Sequence, residues 1–385
     1  MKLTRLFTDF FNSEKAGGII LVICTAISLL LANSPLQARY LHLWEYDIAG
    51  HPLAHWINDG LMTIFFLLIG LELEREIYAG ELSDKRNAAL PVAGAIGGML
   101  VPAAIYLLFN YGTAAQAGAG IPMATDIAFA LGILSLLGPR VPVALKIFLT
   151  ALAVIDDLGA ILVIAVFYTK TLSWLYLGIA LGIWGVLLLL NRLKVQNLVP
   201  YITGGIAMWY CMLHSGVHAT ISGILLAFAI PFGKGDERSV SYRLQHALHR
   251  PVAFFILPLF ALANTAIIIS SDMAQAFTEN YSIGILAGLF FGKVLGISLF
   301  CLLGVVTGFC RLPPGTGWKE LTGTAFLGGI GFTMSVFICL LAFSDPVMIN
   351  TAKLMILVAS LAAGFTGYML LRICLPAKAA EPGGS

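Results

Sequence analysis

The sequence predicts an all-α polytopic membrane protein, and three observations carry that reading. Of 385 residues, 59% are apolar and only 11% are Asp, Glu, Lys or Arg, against roughly 25% charged in a soluble domain. The mean hydropathy is +0.92. The apolar residues run in long continuous stretches without period-two alternation, which argues against a β-barrel. A spanning helix needs about 20 apolar residues, so twelve such windows take roughly 240 positions and leave no room for an extramembrane domain. Residues 1–375 therefore read as one transmembrane domain, with 376–385 as a flexible C-terminal tail. A net charge of +2 without a basic cluster excludes nucleic acid as a partner, and lipid surrounds the chain.

In chain order the windows lie near 16–32, 54–78, 88–109, 121–138, 143–168, 172–190, 198–212, 217–231, 252–270, 283–307, 321–343 and 351–374. Met1–Lys15 is polar and amphipathic, and the apolar run after it is long enough to stay as a helix, so no cleavable leader is expected. The Lys and Arg residues of the short loops divide seventeen to two, with only Arg39 and Lys170 on the sparse side. The crowded side is cytoplasmic by the positive-inside rule and holds both termini. The six cysteines form no C-x-x-C pair, so neither a disulfide frame nor a zinc site is expected.

Two windows are poor as continuous helices. The fourth carries Gly120-Ile-Pro-Met-Ala-Thr-Asp126, and the eleventh carries Gly328-Gly-Ile-Gly331. Glycines in lipid often serve only close helix packing; the other reading is a pair of interrupted helices.

Asp126, Asp156, Asp157 and Lys293 fall inside windows. Each costs about 2.5–3.5 kcal/mol to insert. An ion pair between one acid and Lys293 would explain two of the four and leave two carboxylates over. Acids within the bilayer mark ion or proton pathways. Neighbouring helix residues are about 100° apart, so Asp156 and Asp157 can border one cavity. Gly159 is expected to thin this helix and admit a neighbouring backbone. Two adjacent carboxylates in low dielectric cannot both stay ionised cheaply. A proton or a small hard cation relieves the repulsion, and oxygen ligands suit such a cation. Proton and cation then compete for the same oxygens, which becomes exchange once access alternates between the two faces.

The remaining polar motifs carry less. Glu72-Leu-Glu74-Arg75-Glu76 reads as a solvated helix end. His246 and His249, one turn apart, could titrate near neutrality or form a surface pair without a role. His214 and His218 flank Ser215-Gly216, but no Gly-x-Ser-Gly element supports a serine protease. No Gly-x-Gly-Asp element supports an aspartyl protease. An enzyme is not expected.

Ala124-Thr-Asp126-Ile-Ala-Phe-Ala-Leu-Gly, Ile155-Asp156-Asp157-Leu-Gly-Ala, Ser215-Gly-Val-His218-Ala-Thr and Gly331-Phe-Thr-Met-Ser resemble the NhaA sodium–proton antiporters. So do Asn58-Asp59-Gly and Phe65-Phe-Leu-Leu-Ile-Gly-Leu-Glu72, and the resemblance runs from about residue 16 to residue 372. It implies twelve helices, an inverted repeat of spans 3–5 and 10–12, and crossed interrupted helices in spans 4 and 11. Interrupted helices at matching places mark the central site of such transporters, NhaA among them. It further implies a bacterial inner membrane and electrogenic extrusion of cytoplasmic sodium, or lithium, against external protons, activated as pH rises and needing no cofactor. A homodimer is implied, through a periplasmic hairpin at residues 41–50.

Residue by residue, Asp157 resembles the family's main cation ligand and Asp156 its neighbouring proton carrier. Lys293 resembles the lysine that pairs with Asp156 and either carries a proton or is structural. Thr125 and Asp126 sit at the fourth-span break, where Asp126 would offset the facing helix N-termini and Lys293 the C-terminal ends. Asp59, Glu72, Arg75, Glu76, His218, Gln245, His246 and His249 match positions linked to pH response or cation access. Two positions depart from the pattern: Glu74 replaces a lysine and Gln245 a glutamate, which bears on the pH profile and not on the reaction.

Overall fold

The computed structural model describes residues 2–83, 85–168, 172–233, 235–269 and 276–375. The expected tail at 376–385 lies outside them, as does Lys170. Among the described residues, helices joined by turns and short irregular segments are accompanied by one two-stranded hairpin. Helix α1 runs Lys2–Ala32 and α2 runs Gln37–Glu45, folded back by 115°. Strands β1 (Asp47–Ile48) and β2 (His51–Pro52) pair antiparallel, Asp47 opposite Pro52. Then come α3 (Leu53–Tyr78), α4 (Lys85–Asn110), a 3-10 helix at Gln116–Met123, and α5 (Ile127–Leu136). Helices α6 (Val143–Phe167), α7 (Trp174–Arg192), α8 (Val199–Ser215) and α9 (Ile221–Ala229) follow. The last five are α10 (Val240–Asn264), α11 (Asn280–Val306), α12 (Trp318–Gly328), α13 (Phe332–Ala342) and α14 (Pro346–Cys374).

Every expected window holds helix, but not every helix spans. Eight are long and apolar enough among the described residues, or up to ten with two bent pairs counted. Helix α8, at 17 residues, and α9, at nine, account for the windows that fall short of the expected twelve. Helix α9 starts late because Gly216 ends α8 in the left-handed region, at φ 86°, and the chain turns before re-entering. The order long helix, broken helix, long helix occurs twice, as α4 to α6 and as α11 to α14.

The expected hairpin at 41–50 is half helix. Tyr40 and Trp44 stand one turn apart with ring centroids 5.6 Å apart, and Trp44 is buried, which holds residues up to 45 in α2. Only 47–52 forms the hairpin. Its ends are tied to α3 by Leu53 N–H donating to the Tyr46 carbonyl (2.9 Å) and Trp56 Nε1–H to the Ile48 carbonyl (2.9 Å).

The core sits where the broken helices meet α6, α11 and α14. Helices α4 and α11 touch backbone to backbone: a Cβ added at Gly296 would fall on the Gly97 carbonyl oxygen, and one at Gly97 on that of Gly296. Close approach of this kind is how helices pack without a hydrophobic driving force in lipid. It seats Lys293, one turn earlier, with its stem near Gly98. The Gly159 expectation needs correcting. A side chain, that of Met99, fills the space over Gly159, not a neighbouring backbone.

Gly296→Ala should lower stability by about 1–3 kcal/mol, the usual cost of overpacking. Thermal unfolding in mild detergent measures this. An unchanged midpoint would show that α4 and α11 can part without loss.

Candidate functional site

The fourth span breaks because Pro122 has no N–H to continue a helical ladder and Asp126 caps the helix that follows. Ala124 and Asp126 are extended (ψ 154° and 98°). Asp126 Oδ1 accepts from Phe129 N–H at 2.9 Å, the N-cap bond of α5. Its Oδ2 accepts from Thr333 N–H at 3.0 Å and from Thr333 Oγ1–H at 2.5 Å, at the start of α13. One carboxylate thus caps two helices from different halves of the chain, where each N-terminus carries partial positive charge.

The eleventh span bends by 44° between α12 and α13, across Gly329–Gly331. The two breaks are hydrogen-bonded to each other. Asp126 N–H donates to the Ile330 carbonyl at 2.6 Å, and Ser335 Oγ–H to the Ile121 carbonyl at 2.6 Å. Phe332 N–H donates to Ser360 Oγ on α14 at 3.1 Å. The Thr125 hydroxyl lies 2.7 Å from the Gly328 carbonyl and 2.9 Å from Asp156 Oδ2, and its single proton serves one of them at a time. Glycines 328–331 therefore form a real interruption, not a packing stripe alone.

Lys293 reaches this crossing from α11. Its Nζ donates to Asp156 Oδ2 at 2.5 Å and to Thr125 Oγ1 at 3.0 Å. Asp156, Asp157, Thr125 and Lys293 are fully buried, and Asp126 is 2% exposed. The three acids differ in one respect. Asp126 has both oxygens bonded and Asp156 has one, but Asp156 Oδ1 and both oxygens of Asp157 have no hydrogen-bond partner among the described residues. Three buried oxygens without donors on two adjacent residues suit a proton or a hard cation. Among the described residues, no group of three or more His, Cys, Asp or Glu side chains is placed to hold a resident metal.

The eight residues tied by resemblance to pH response divide between the two ends of α3, about 20 Å apart at helical rise. At one end, Glu72 lies 3.9 Å from His249 Nδ1 and faces Gln245, while Arg75 bonds Glu76 at 3.1 Å. His246 is exposed and stacks parallel to Tyr242. This end is not the solvated one expected: Glu72 and Glu74 are only 5% and 4% exposed, with Gln245 and His249 of α10 against Glu72, and Glu74 Oε2 has no hydrogen-bond partner among the described residues. At the other end Asp59 pairs with His55 (2.9 Å), and His218 Nε2 lies 3.1 Å from the Tyr168 carbonyl.

Sequence reasoning missed several of these groups. Thr333 and Ser335 stood in a quoted motif without a role, although hydroxyls in the first turn of an apolar helix signal a capping contact. His55 stands four residues before Asp59, the spacing that puts two side chains on one helix face. Lys353, half-buried in the second turn of α14, is a further charge inside a window.

The family model described as "Na+/H+ antiporter 1" matches residues 8–371. A protein named Na(+)/H(+) antiporter NhaA from Flavobacterium psychrophilum is 65% identical over 375 residues, covering 97% of this chain and 98% of that one. One of the same name from Dechloromonas aromatica is 56% identical over 374 residues, covering 96% of each. The fold resembles the solved sodium proton antiporter MjNhaP1 from Methanocaldococcus jannaschii, with TM-score 0.59 at 16% identity, over 97% of this chain and 99% of that one.

The bonding pattern makes opposite demands on two aspartates. In Asp126→Asn an amide N–H₂ would replace one oxygen and face donors in Phe129 or Thr333, and each lost bond to a charged acceptor is worth about 1.5–3 kcal/mol. Asp157→Asn breaks no bond. Thermal unfolding should therefore fall clearly for Asp126→Asn and hold or rise for Asp157→Asn, and the reverse order would mean that Asp157 is the structural acid.

Proposed function

The chain belongs to the Na+/H+ antiporter 1 family, and from that footing we propose that it exchanges cytoplasmic sodium, and also lithium, for external protons. The observation that carries this is the pair Asp156–Asp157, whose three unbonded buried oxygens lie beside the crossing of two broken helices. Asp157 holds the cation and Asp156 contributes its free Oδ1, while Oδ2 stays with Lys293. A proton on either acid removes the charge that the cation needs, so the two cargoes bind alternately. Lys293 balances Asp156 and the carbonyl end of α12; Asp126 balances the starts of α5 and α13. When more protons enter than cations leave, each turnover moves charge, and the potential contributes about 2.3 kcal/mol per charge per 100 mV. Protons hold the carboxylates in acid and leave as pH rises, which gives activation toward alkaline pH, tuned by Glu72, Glu74, Arg75, Glu76, Gln245, His246 and His249. The setting is a bacterial inner membrane with both termini cytoplasmic.

Everted vesicles carrying a pH dye test the reaction against its rivals, a channel or a sodium-coupled symporter. Added sodium should collapse an imposed pH gradient, faster as pH rises. A need for an organic co-substrate would sink the proposal. Asp157→Asn should abolish both this response and sodium binding by calorimetry, and retained binding would remove Asp157 from the site.

Assembly as a homodimer is proposed through the hairpin 47–52, whose four strand residues are all exposed and whose edges are open to a partner strand. Removing 47–50, which spares buried Trp44, should yield monomers in mild detergent. Unchanged particle mass would place the interface elsewhere.

A further inference from the structure

The mouth at the start of α3 carries two histidines beside Asp59, His51 and His55, to which the proposed exchange assigns no role. His55 Nδ1 lies 2.9 Å from Asp59 Oδ2, and His55 Nε2 is buried with no hydrogen-bond partner among the described residues. The ring of His51, exposed at the start of β2, stacks on that of His55 with centroids 4.4 Å apart and planes 26° apart. Asp59 lies within electrostatic range of His55, His218 and His51. The hairpin that carries His51 is anchored to α3 through Leu53 and Trp56, so His51 and His55 are held together and do not meet by chance.

The tautomer follows from the carboxylate. Asp59 accepts from Nδ1–H, which leaves a bare lone pair on Nε2 in the neutral ring. A carboxylate behind one imidazole nitrogen, with the other nitrogen unbonded, is the arrangement that orients histidine for a transition metal and raises its basicity. Imidazole nitrogen suits zinc, copper and nickel and is a poor match for sodium, so the group is chemically distinct from the carboxylate site in the core. Metal–nitrogen bonds of about 2.0–2.1 Å need the two nitrogens roughly 3.3 Å apart in tetrahedral geometry. The observed stack, with centroids 4.4 Å apart, is not itself that arrangement, and binding requires the exposed His51 ring to turn out of it toward His55 Nε2.

We propose that His51 and His55, with Asp59 orienting His55, bind a divalent transition-metal ion at this mouth, with water completing its coordination. The ion clamps the hairpin to the start of α3. Because the nitrogens must be unprotonated, binding weakens in acid.

The test uses purified, untagged full-length protein and zinc chloride alone. Calorimetry should give one saturable site per chain, at least tenfold weaker in His51→Ala and in His55→Gln. Asp59→Asn should weaken it about tenfold to a hundredfold, as loss of a carboxylate behind a histidine ligand does. His51→Ala should retain wild-type sodium-driven exchange, so that lost binding cannot be ascribed to misfolding. Copper(II) gives a second readout, since the Trp56 ring lies 6.3 Å from His51 and 6.5 Å from His55 and its fluorescence should be quenched on binding. Unchanged zinc affinity in His51→Ala or in Asp59→Asn overturns the proposal, as does copper quenching that survives His51→Ala intact.

Discussion

Everything at the centre of this protein depends on two unwound segments satisfying each other's backbone. In lipid no water is present to bond a free N–H or C=O, so an interrupted helix survives only where protein supplies the partners. Here the breaks supply them reciprocally: Asp126 N–H to Ile330, Ser335 to the Ile121 carbonyl, Thr125 to Gly328. Asp126 closes the arrangement by capping α5 and α13 at once. Separating the segments would orphan all these groups together. The crossing is therefore rigid as a unit, and the side chains that project from it inherit a fixed position.

Against that rigid frame, incompleteness is informative. Asp126, Asp156 and Asp157 share residue type and burial, so neither property separates structural acids from functional ones. The hydrogen-bond count does. Among the described residues, Asp126 has both oxygens bonded, Asp156 has Oδ2 bonded by Lys293 and Thr125 and Oδ1 by nothing, and Asp157 has no partner on either oxygen. With a hydroxyl as near as that of Thr125, those oxygens stay bare where the proposed exchange puts its cargo. Polar satisfaction is thus complete at Asp126, on the fourth-span break, and incomplete at Asp156 and Asp157, on α6.

Much of this was legible in sequence, for particular reasons. The interruptions showed as candidates because Pro122 and the glycines at 328–331 make poor continuous helix, although the glycines alone fit close packing equally well. The four core charges showed because lipid makes each of them costly. What stayed hidden depends on distance in sequence. Nothing in Glu72-Leu-Glu74-Arg75-Glu76 says that α10 will pack over Glu72, since Gln245 and His249 come some 170 positions later. Thr333 as a partner of Asp126 is 207 positions away. Helix α9 was too short to be told from a full span by composition, because apolar residues before it continue the run while Gly216 bends the backbone.

The carboxylates at the crossing are closed to both faces, so exchange needs a change of shape that the rigid crossing itself cannot supply. The backbone shows where the neighbouring helices depart from regular geometry. Trp56–Leu61 in α3, Val252–Ile256 in α10 and Gly288–Gly292 in α11 are π-helical. Such segments are rare and concentrate at functional sites. Their neighbours are Asp59, which lies within the first, His249, three residues before the second, and Lys293, directly after the third. Each of the three locations that hold ionisable groups (one mouth, the other mouth, the core) thus adjoins one extra residue in a helical turn. A change of register there would rotate the adjoining side chain by about 100°, the angle between successive helix residues. For Lys293 such a rotation would carry Nζ away from Asp156 Oδ2 while leaving the crossing intact. Charge at the site and the shape of the helix that bears it are therefore joined through one covalent step, from Gly292 to Lys293.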